Sequence, residues 1–354
     1  MLASTRGARV TSRLALLAAL TAVTATALAL PAQAHGERHA GLSGTCTGTA
    51  PVVCHFDVPP GNYDVTAVLG GAAAGSTSIE AETRRAMLPE TATDPGRHAR
   101  RSFTVNVRAV EGQPTDDDTG TPGLDLRFGG SAPLVQDVEV TPARRTRHIL
   151  LAGDSTVCDQ ALAPWTGWGQ QLPQSLRRGA VVVNHADSGE GTVSFLSHPL
   201  LFTALESRVR RGDLVLIQLA HNDKTTTAAT YRANLTAMAE RVRARGGEPV
   251  FVTPMVRRLF NPDGTLTPVA QHVMAADLPA EMRSLASELD VPLIDLTAES
   301  KELVEELGKE ASKDLYLTDI GDNTHTSVHG AATFAGIVAA SLREQGLVPP
   351  GLFR

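Results

Sequence analysis

The second half of the chain alternates short apolar segments with amphipathic ones, and this alternation restricts the fold more than any other feature. The apolar segments predict strands over residues 148–153, 181–183, 214–219, 250–253 and 291–296. The amphipathic segments predict helices over residues 165–178, 196–210, 228–245, 274–289 and 328–343. Strands that are apolar on both faces, with helices between them, are typical of a parallel sheet covered on both sides. We therefore predict an α/β domain with a doubly wound parallel sheet over residues 147–354.

Residues 35–143 show a different pattern, in which apolar and polar positions alternate singly within short segments. These segments predict strands over residues 54–58, 63–69, 77–81, 102–107, 124–128 and 135–140. Clusters of Gly, Pro and Asp separate the segments, as expected for strands with one buried face. We predict a smaller β-sandwich domain here, and a length of 354 residues accommodates two domains.

The first 34 residues have the pattern of a secretory signal peptide. Arg6, Arg9 and Arg13 precede an apolar run over residues 14–30, which ends near the small-residue sequence Ala32-Gln33-Ala34. A membrane anchor is the alternative, but the run is rich in Ala and Thr, and no later stretch approaches the ~18 apolar residues of a membrane span. We predict a secreted, extracellular protein without a membrane partner.

The charge and cysteine content exclude two broad classes of protein. A formal net charge of -6 argues against a nucleic-acid partner, because such binding depends on clustered Lys and Arg. Three Cys are too few for a fold held together by disulfides. Cys46 and Cys54 could close a small loop in an oxidising compartment, and their pairing is left open. For Cys158 we favour a buried apolar role over that of a thiol nucleophile.

Polar residues follow the predicted parallel strands at their carboxyl ends, where reactive groups collect in such sheets. Ser155, in the sequence Gly153-Asp154-Ser155-Thr156, follows the first strand and would present its hydroxyl beside backbone N–H groups. Its alternative role is that of a helix cap. Gly189 follows the second strand and Asn222 the third, where each could donate an N–H to a ligand or serve only in a turn.

Asp322 and His325 precede the last predicted helix, three residues apart. A carboxylate at this spacing can hold one imidazole nitrogen and leave the other free to act as a base. His325 and His329 also suggest zinc, but no Glu follows the first His as in the metalloprotease motif, and we predict no metal. Together these residues provide a nucleophile, a base, its orienting acid and oxyanion donors.

The motifs Gly153-Asp154-Ser155, Gly189, Asn222-Asp223 and Asp322-x-x-His325 resemble, in order and spacing, the four blocks of the SGNH or GDSL hydrolases. Within that superfamily the sequence is most similar to rhamnogalacturonan acetylesterases. The resemblance covers about residues 147–345 and implies a flavodoxin-like sheet. One departure is Ala220, which replaces the usual first Gly of the third block.

The resemblance implies a role for each matched residue. Ser155 would be the nucleophile, His325 the base and Asp322 its orienting acid, while Gly189 and Asn222 would bind the oxyanion. Asp154 and Asp223 are interpreted as structural supports. No cofactor is implied.

The predicted function is that of a secreted serine carbohydrate esterase, an acetylesterase that removes acetyl groups from pectic rhamnogalacturonan. The partner would be an acetylated polysaccharide or oligosaccharide. The alternatives are an esterase acting on other acetylated sugars, xylan or lipids, and a non-catalytic polysaccharide-binding protein. We place Trp168 in the core and leave Trp165 open between core and sugar contact. The β-rich domain is interpreted first as a structural or positioning module.

Overall fold

The computed structural model describes residues 43–109, 111–116 and 120–354. The predicted signal peptide, residues 1–34, lies outside the described residues and stays a prediction. The β-sheet region and the α/β region that follows it belong to one compact unit. The last strand of the first region ends at Pro142 and the first strand of the second begins at Arg147, where the sequence pattern changes.

Eight antiparallel strands form the first part of the described chain. Their bounds are β1 (Gly44–Thr47), β2 (Val52–Phe56), β3 (Gly61–Gly70), β4 (Gly75–Ala81), β5 (Arg85–Thr93), β6 (His98–Val107), β7 (Leu124–Ala132) and β8 (Val135–Pro142). One sheet has the strand order β1-β2-β7-β4-β5, and a second has the order β6-β3-β8. All six predicted strands are present, whereas β1 and β5 were not predicted.

The predicted alternation of buried and less buried positions is observed in these strands. Along β4, fully buried residues alternate with half-buried ones, so one face of the strand packs inward. Four aromatic residues from both sheets share one apolar core: Phe56, Tyr63, Phe103 and Phe128. An antiparallel, all-β first part is therefore confirmed, and its arrangement as a sandwich stays a prediction.

A disulfide bond joins Cys46 of β1 to Cys54 of β2. The two residues lie opposite each other in the antiparallel register of the two strands. Because β1 is exposed along its whole length and Cys54 is fully buried, the bond fastens an edge strand to the sheet.

Five parallel strands form the sheet of the second part. They are β9 (Arg147–Gly153), β10 (Ala180–Asn184), β11 (Leu214–Gln218), β12 (Glu248–Val252) and β13 (Leu293–Ile294). Their order is β10-β9-β11-β12-β13, which confirms the predicted parallel sheet. Every residue of β10 and β11 is buried, as expected for strands covered on both faces.

Seven α-helices belong to this part of the described chain. They are α1 (Trp168–Gln171), α2 (Thr192–Ser197), α3 (Ala204–Arg208), α4 (Ala228–Ala244), α5 (Leu278–Leu289), α6 (Leu296–Ala311) and α7 (Val328–Glu344). None of the helices in the described ranges combines the length and the apolar character needed to span a membrane.

Prolines shorten two of the predicted helices. The helix predicted over 165–178 is reduced to α1, which is followed by a 3₁₀ turn over Leu172–Ser175 that contains Pro173. The helix predicted over 196–210 is divided between α2 and α3 by a π-helical segment, Pro199–Thr203. Proline has no amide hydrogen and so cannot continue a regular helix. Helix α6 was not predicted, although the Asp295 side chain caps it by accepting a hydrogen bond from the Ala298 N–H.

Side chains of strand β9 divide between two apolar cores. Ile149 and Leu151 pack in a cluster that includes Phe334 of α7, whereas Leu150 and Ala152 pack in a cluster that includes Leu235 of α4. The sheet is therefore covered on both faces. Because β9 lies between β10 and β11, the strand order reverses at its carboxyl end, which is where open α/β sheets bind their ligands.

Candidate active site

Ser155 lies in a tight turn at the carboxyl end of β9. The buried side chain of Asp154 closes this turn, since its Oδ1 accepts hydrogen bonds from the Thr156 N–H at 3.0 Å and hydroxyl at 2.7 Å. A Cβ atom on Gly153 would lie 2.6 Å from the Val157 side chain, so the packing requires glycine there. Ser155 itself is half-buried, and the turn presents its hydroxyl at the edge of the sheet.

The imidazole of His325 contacts both the serine and the acid predicted to act with it. Its Nε2 lies 2.9 Å from Ser155 Oγ, although the two residues are 170 positions apart in the chain. Its Nδ1 donates to Asp322 Oδ2 at 2.7 Å. With the Nδ1 proton engaged by the carboxylate, Nε2 is the nitrogen left to accept the serine proton. This chain of contacts has the geometry of a Ser-His-Asp triad.

The Asp322 carboxylate is held by the backbone as well as by the ring. Its Oδ1 accepts hydrogen bonds from the N–H groups of Thr324 at 2.8 Å and His325 at 2.9 Å. Burial opposes ionisation, but the hydrogen bonds outweigh it and place the pKa of Asp322 below its usual value. Asp322 is therefore an ionised acceptor whose orientation is fixed on both oxygens.

Gly189 lies in the loop after β10 with a φ of 84°, a backbone conformation that favours glycine. A Cβ at this position would contact nothing within 4 Å, so the space beside it is open. Within the described parts of the chain, neither the Gly189 N–H nor the Ser155 N–H has a hydrogen-bond acceptor. Both groups can therefore donate to a ligand.

Asn222 follows β11 and is exposed. One hydrogen of its amide is donated to the Glu190 carbonyl at 3.0 Å, next to Gly189 in the chain. The amide nitrogen carries a second hydrogen that can be donated to a ligand. The bond to Glu190 thus joins the loops that contain the two predicted oxyanion donors.

The two acids interpreted as structural supports are buried, and each accepts hydrogen bonds from loop residues. Asp223 accepts from the Thr192 N–H and hydroxyl, and it also accepts from the Thr226 hydroxyl. Burial raises the pKa of Asp154 to about 6, while its bonds to Thr156 act in the opposite direction. These hydrogen bonds fix the loops after β9 and β11, which fits a supporting role for both acids.

Arg257, which sequence reasoning missed, joins two of the site loops. Its guanidinium donates to the His221 carbonyl at 2.8 Å and to the Thr324 hydroxyl at 3.1 Å. It thereby ties the residue before Asn222 to the loop that holds the imidazole base. The sequence shows only that Arg257 follows β12, and this position does not indicate that Arg257 bonds to His221 and Thr324.

Three further residues near the site lie in the interior. His221 is buried with its ring against His272, and burial places its pKa well below the usual value, so it serves loop structure. Cys158 is buried, and burial raises the pKa of its thiol well above the usual range, which excludes a ready thiolate. Trp168 lies in the core as predicted and donates to Gln218 Oε1 at 2.8 Å, whereas Trp165 is half-buried.

The ring of His325, which with His329 was considered as a zinc ligand, forms hydrogen bonds within the site instead. Both ring nitrogens of His325 are already occupied by Ser155 and Asp322. In the portion of the chain that the structure describes, no three His, Cys, Asp or Glu side chains are grouped as a metal site.

The sequence matches a known protein family. The sequence model of the GDSL-like Lipase/Acylhydrolase family matches residues 151–332, which include all five predicted site residues. The chain belongs to this family. GDSL hydrolases are ester-cleaving enzymes, so membership places the chain among the serine carboxylic-ester hydrolases.

Named relatives of this GDSL hydrolase come from Bacillus subtilis strain 168. The rhamnogalacturonan acetylesterase RhgT is 40% identical over 217 residues, which cover 56% of this chain and 91% of RhgT. A protein named probable rhamnogalacturonan acetylesterase YesY is 30% identical over 213 residues, which cover 56% of this chain and 94% of YesY. The crystal structure of B. subtilis YxiM aligns with 83% of this chain and over 80% of the YxiM chain, with 24% identity and a TM-score of 0.53. YxiM therefore shares the fold.

Proposed function

We propose that this GDSL hydrolase is a secreted serine carbohydrate esterase that removes acetyl groups from pectic rhamnogalacturonan. The observation that carries the proposal is the Ser155–His325–Asp322 contact chain, found in a sequence that is 40% identical to a rhamnogalacturonan acetylesterase. Secretion is proposed from residues 1–34 of the sequence, and N-terminal sequencing of the exported protein tests for cleavage after Ala34.

The proposed first half-reaction transfers the acetyl group to Ser155. Its Oγ attacks the carbonyl carbon while its proton moves to Nε2 of His325. The resulting oxyanion accepts hydrogen bonds from the N–H groups of Ser155 and Gly189 and from the Asn222 amide. When this intermediate collapses, the bond to the sugar oxygen breaks, and that oxygen takes the proton from Nε2.

The second half-reaction releases acetate and restores the enzyme. A water molecule gives its proton to Nε2 of His325 and attacks the acetyl carbon of the acyl-serine. Collapse of the second oxyanion breaks the bond to Ser155 Oγ, which regains the proton. Asp322 stays ionised throughout and stabilises the imidazolium formed in each half.

Substitution Asn222→Ala is expected to lower kcat about 10²- to 10³-fold, because one of three oxyanion donors is lost. Steady-state hydrolysis of 4-nitrophenyl acetate measures the effect. Asn261→Ala is the control, since that amide bonds only within its own turn, to Thr265 and Leu266. A kcat equal to that of the wild type would remove Asn222 from the oxyanion site.

The substrate class is tested by acetate release from pectin before and after alkaline deacetylation. We expect release from the acetylated polymer only, and faster release from rhamnogalacturonan than from acetylated xylan. Faster hydrolysis of xylan or of long-chain esters would instead support one of the alternative substrates. A protein without turnover of 4-nitrophenyl acetate would support the non-catalytic alternative.

A further inference from the structure

The loop that contains Gly189 is bonded to the antiparallel part of the chain. Residues 111–116 follow β6 and reach the carboxyl edge of the parallel sheet. There the buried side chain of Gln113 accepts a hydrogen bond from the Ser188 N–H through its Oε1 at 2.6 Å. Its Nε2 donates to Asp116 Oδ2 at 3.1 Å, which fixes which end of the amide faces Ser188.

The residue before Ser188 is bonded to the same segment. The buried Asp187 carboxylate accepts from the Thr115 N–H and from the Thr115 hydroxyl, each at 2.8 Å. On its other side, the Asp187 N–H donates to the Gly153 carbonyl at 3.1 Å, in the strand that leads to Ser155. Asp187 thus joins the antiparallel part to the strand that carries the nucleophile.

A third contact comes from Arg108, which is buried. Its guanidinium donates to the carbonyl of Asn184, the last residue of β10, and to the Gly112 carbonyl at 2.6 Å. Consequently the backbone before Gly189 is held by the antiparallel part at three positions: Asn184, Asp187 and Ser188. Gly189 is the next residue, so its N–H belongs to the peptide group that follows the held Ser188.

We propose that Gln113 and Thr115 are positioning residues for catalysis, which hold the Gly189 loop so that its N–H faces the developing oxyanion. The inference rests on the proposed function, because it assumes Gly189 to be an oxyanion donor. On this proposal the antiparallel part contributes to catalysis, because its residues hydrogen-bond to the loop that stabilises the acyl oxygen. Neither residue touches the reacting atoms.

The test compares Gln113→Met, which keeps the length of the side chain and removes its acceptor, with the wild type. A displaced donor costs less than an absent one, so we expect kcat for 4-nitrophenyl acetate to fall about tenfold. Both half-reactions form an oxyanion, so kcat reports the loss whichever half is slower. Thr115→Val should also lower kcat, whereas Thr115→Ser, which keeps the hydroxyl, should restore it.

The inhibition constant of a boronic acid separates positioning from folding. Boronic acids form a tetrahedral adduct with the serine, and one adduct oxygen occupies the oxyanion site. If Gln113 positions the donors, the Ki rises in Gln113→Met by a factor similar to the fall in kcat. If the variant merely unfolds in part, kcat falls with the active fraction, but the Ki of the folded remainder is unchanged, and the proposal is overturned.

Thr104→Val serves as the matched control in the antiparallel part. The Thr104 hydroxyl accepts from the Gly179 N–H at 2.9 Å, so this variant also loses a bond between the two parts of the chain. The same hydroxyl donates to Asp64 Oδ1 at 2.6 Å, and neither of its partners belongs to a site loop, so the variant should keep the kcat and Ki of the wild type. If Gln113→Met kept the kcat and Ki of the wild type while Ser155→Ala was inactive, the positioning role would be overturned and the proposed function would stand. A wild-type protein without esterase activity would instead remove the proposed function itself.

Discussion

Substitution of Ser155 by alanine is expected to lower the rate of acetate release about 10⁶-fold, the size of loss that follows removal of the nucleophile from a serine hydrolase. Without Oγ no acyl-enzyme can form, and the oxyanion donors act only on direct attack by water. Acetate released from acetylated pectin, measured with the wild type and the variant at equal concentration, gives the ratio. The loss should appear in kcat, because the acyl-enzyme route itself is removed.

Two control variants show whether the loss is specific to the triad. Ser197→Ala removes an exposed hydroxyl that donates to the Ser194 carbonyl, and His329→Gln removes an exposed imidazole in the first turn of α7, four residues after His325. Both should keep the wild-type rate. Retention of wild-type turnover by a folded Ser155→Ala protein would show that another group attacks the ester.

The grouping of Ser155, Asp322 and His325 could be predicted because each residue has a local signal. Asp322 and His325 are three residues apart, a spacing at which one carboxylate can bond both to the ring and to the intervening backbone. Ser155 follows an apolar strand directly, and the alternation of strands and helices places that strand end at the edge of a parallel sheet. The sequence therefore indicated which residues form the candidate site and at which edge of the sheet they lie.

Contacts between distant segments could not be predicted in this way. Gln113 and Ser188 are 75 residues apart, and no sequence pattern around either residue indicates that they form a hydrogen bond. The same holds for Arg257 and its partners in the loops after β11 and before α7. Such bonds depend on how the two parts of the chain pack, which periodicity within one segment does not determine.

Two strands lacked the pattern on which strand prediction depends. β1 is exposed along its whole length, so its sequence has no apolar face. In β5 the alternation breaks where Met87 and Leu88 are both buried and Pro89 and Glu90 are both exposed. Period-two patterns arise only where one face of a strand is buried and the other is not, and neither strand meets that condition.

Substitution Asp322→Asn is expected to lower kcat about 10³- to 10⁴-fold while leaving the fold intact, because it changes which ring nitrogen carries the proton. The carboxylate accepts backbone N–H groups on Oδ1 and the ring N–H on Oδ2. An asparagine has one acceptor oxygen. If that oxygen accepts the two backbone N–H groups, the NH₂ of the side chain points toward Nδ1 of His325. The ring must then accept at Nδ1 and carry its proton on Nε2, where it cannot remove the proton of Ser155.

The opposite orientation of the asparagine would restore the ring bond, but it would place the NH₂ against the N–H groups of Thr324 and His325. Two backbone donors would then lose their acceptor, so the first orientation is favoured. Imidazole ¹⁵N chemical shifts of the variant should report the Nε2-protonated tautomer, and 4-nitrophenyl acetate hydrolysis should show the loss in kcat. Asp319→Asn, an exposed acid in the same loop, is the matched control and should keep both the tautomer and the rate. Wild-type kcat in Asp322→Asn would mean that the base at position 325 needs no carboxylate, and the proposed proton path from Ser155 would have to be abandoned.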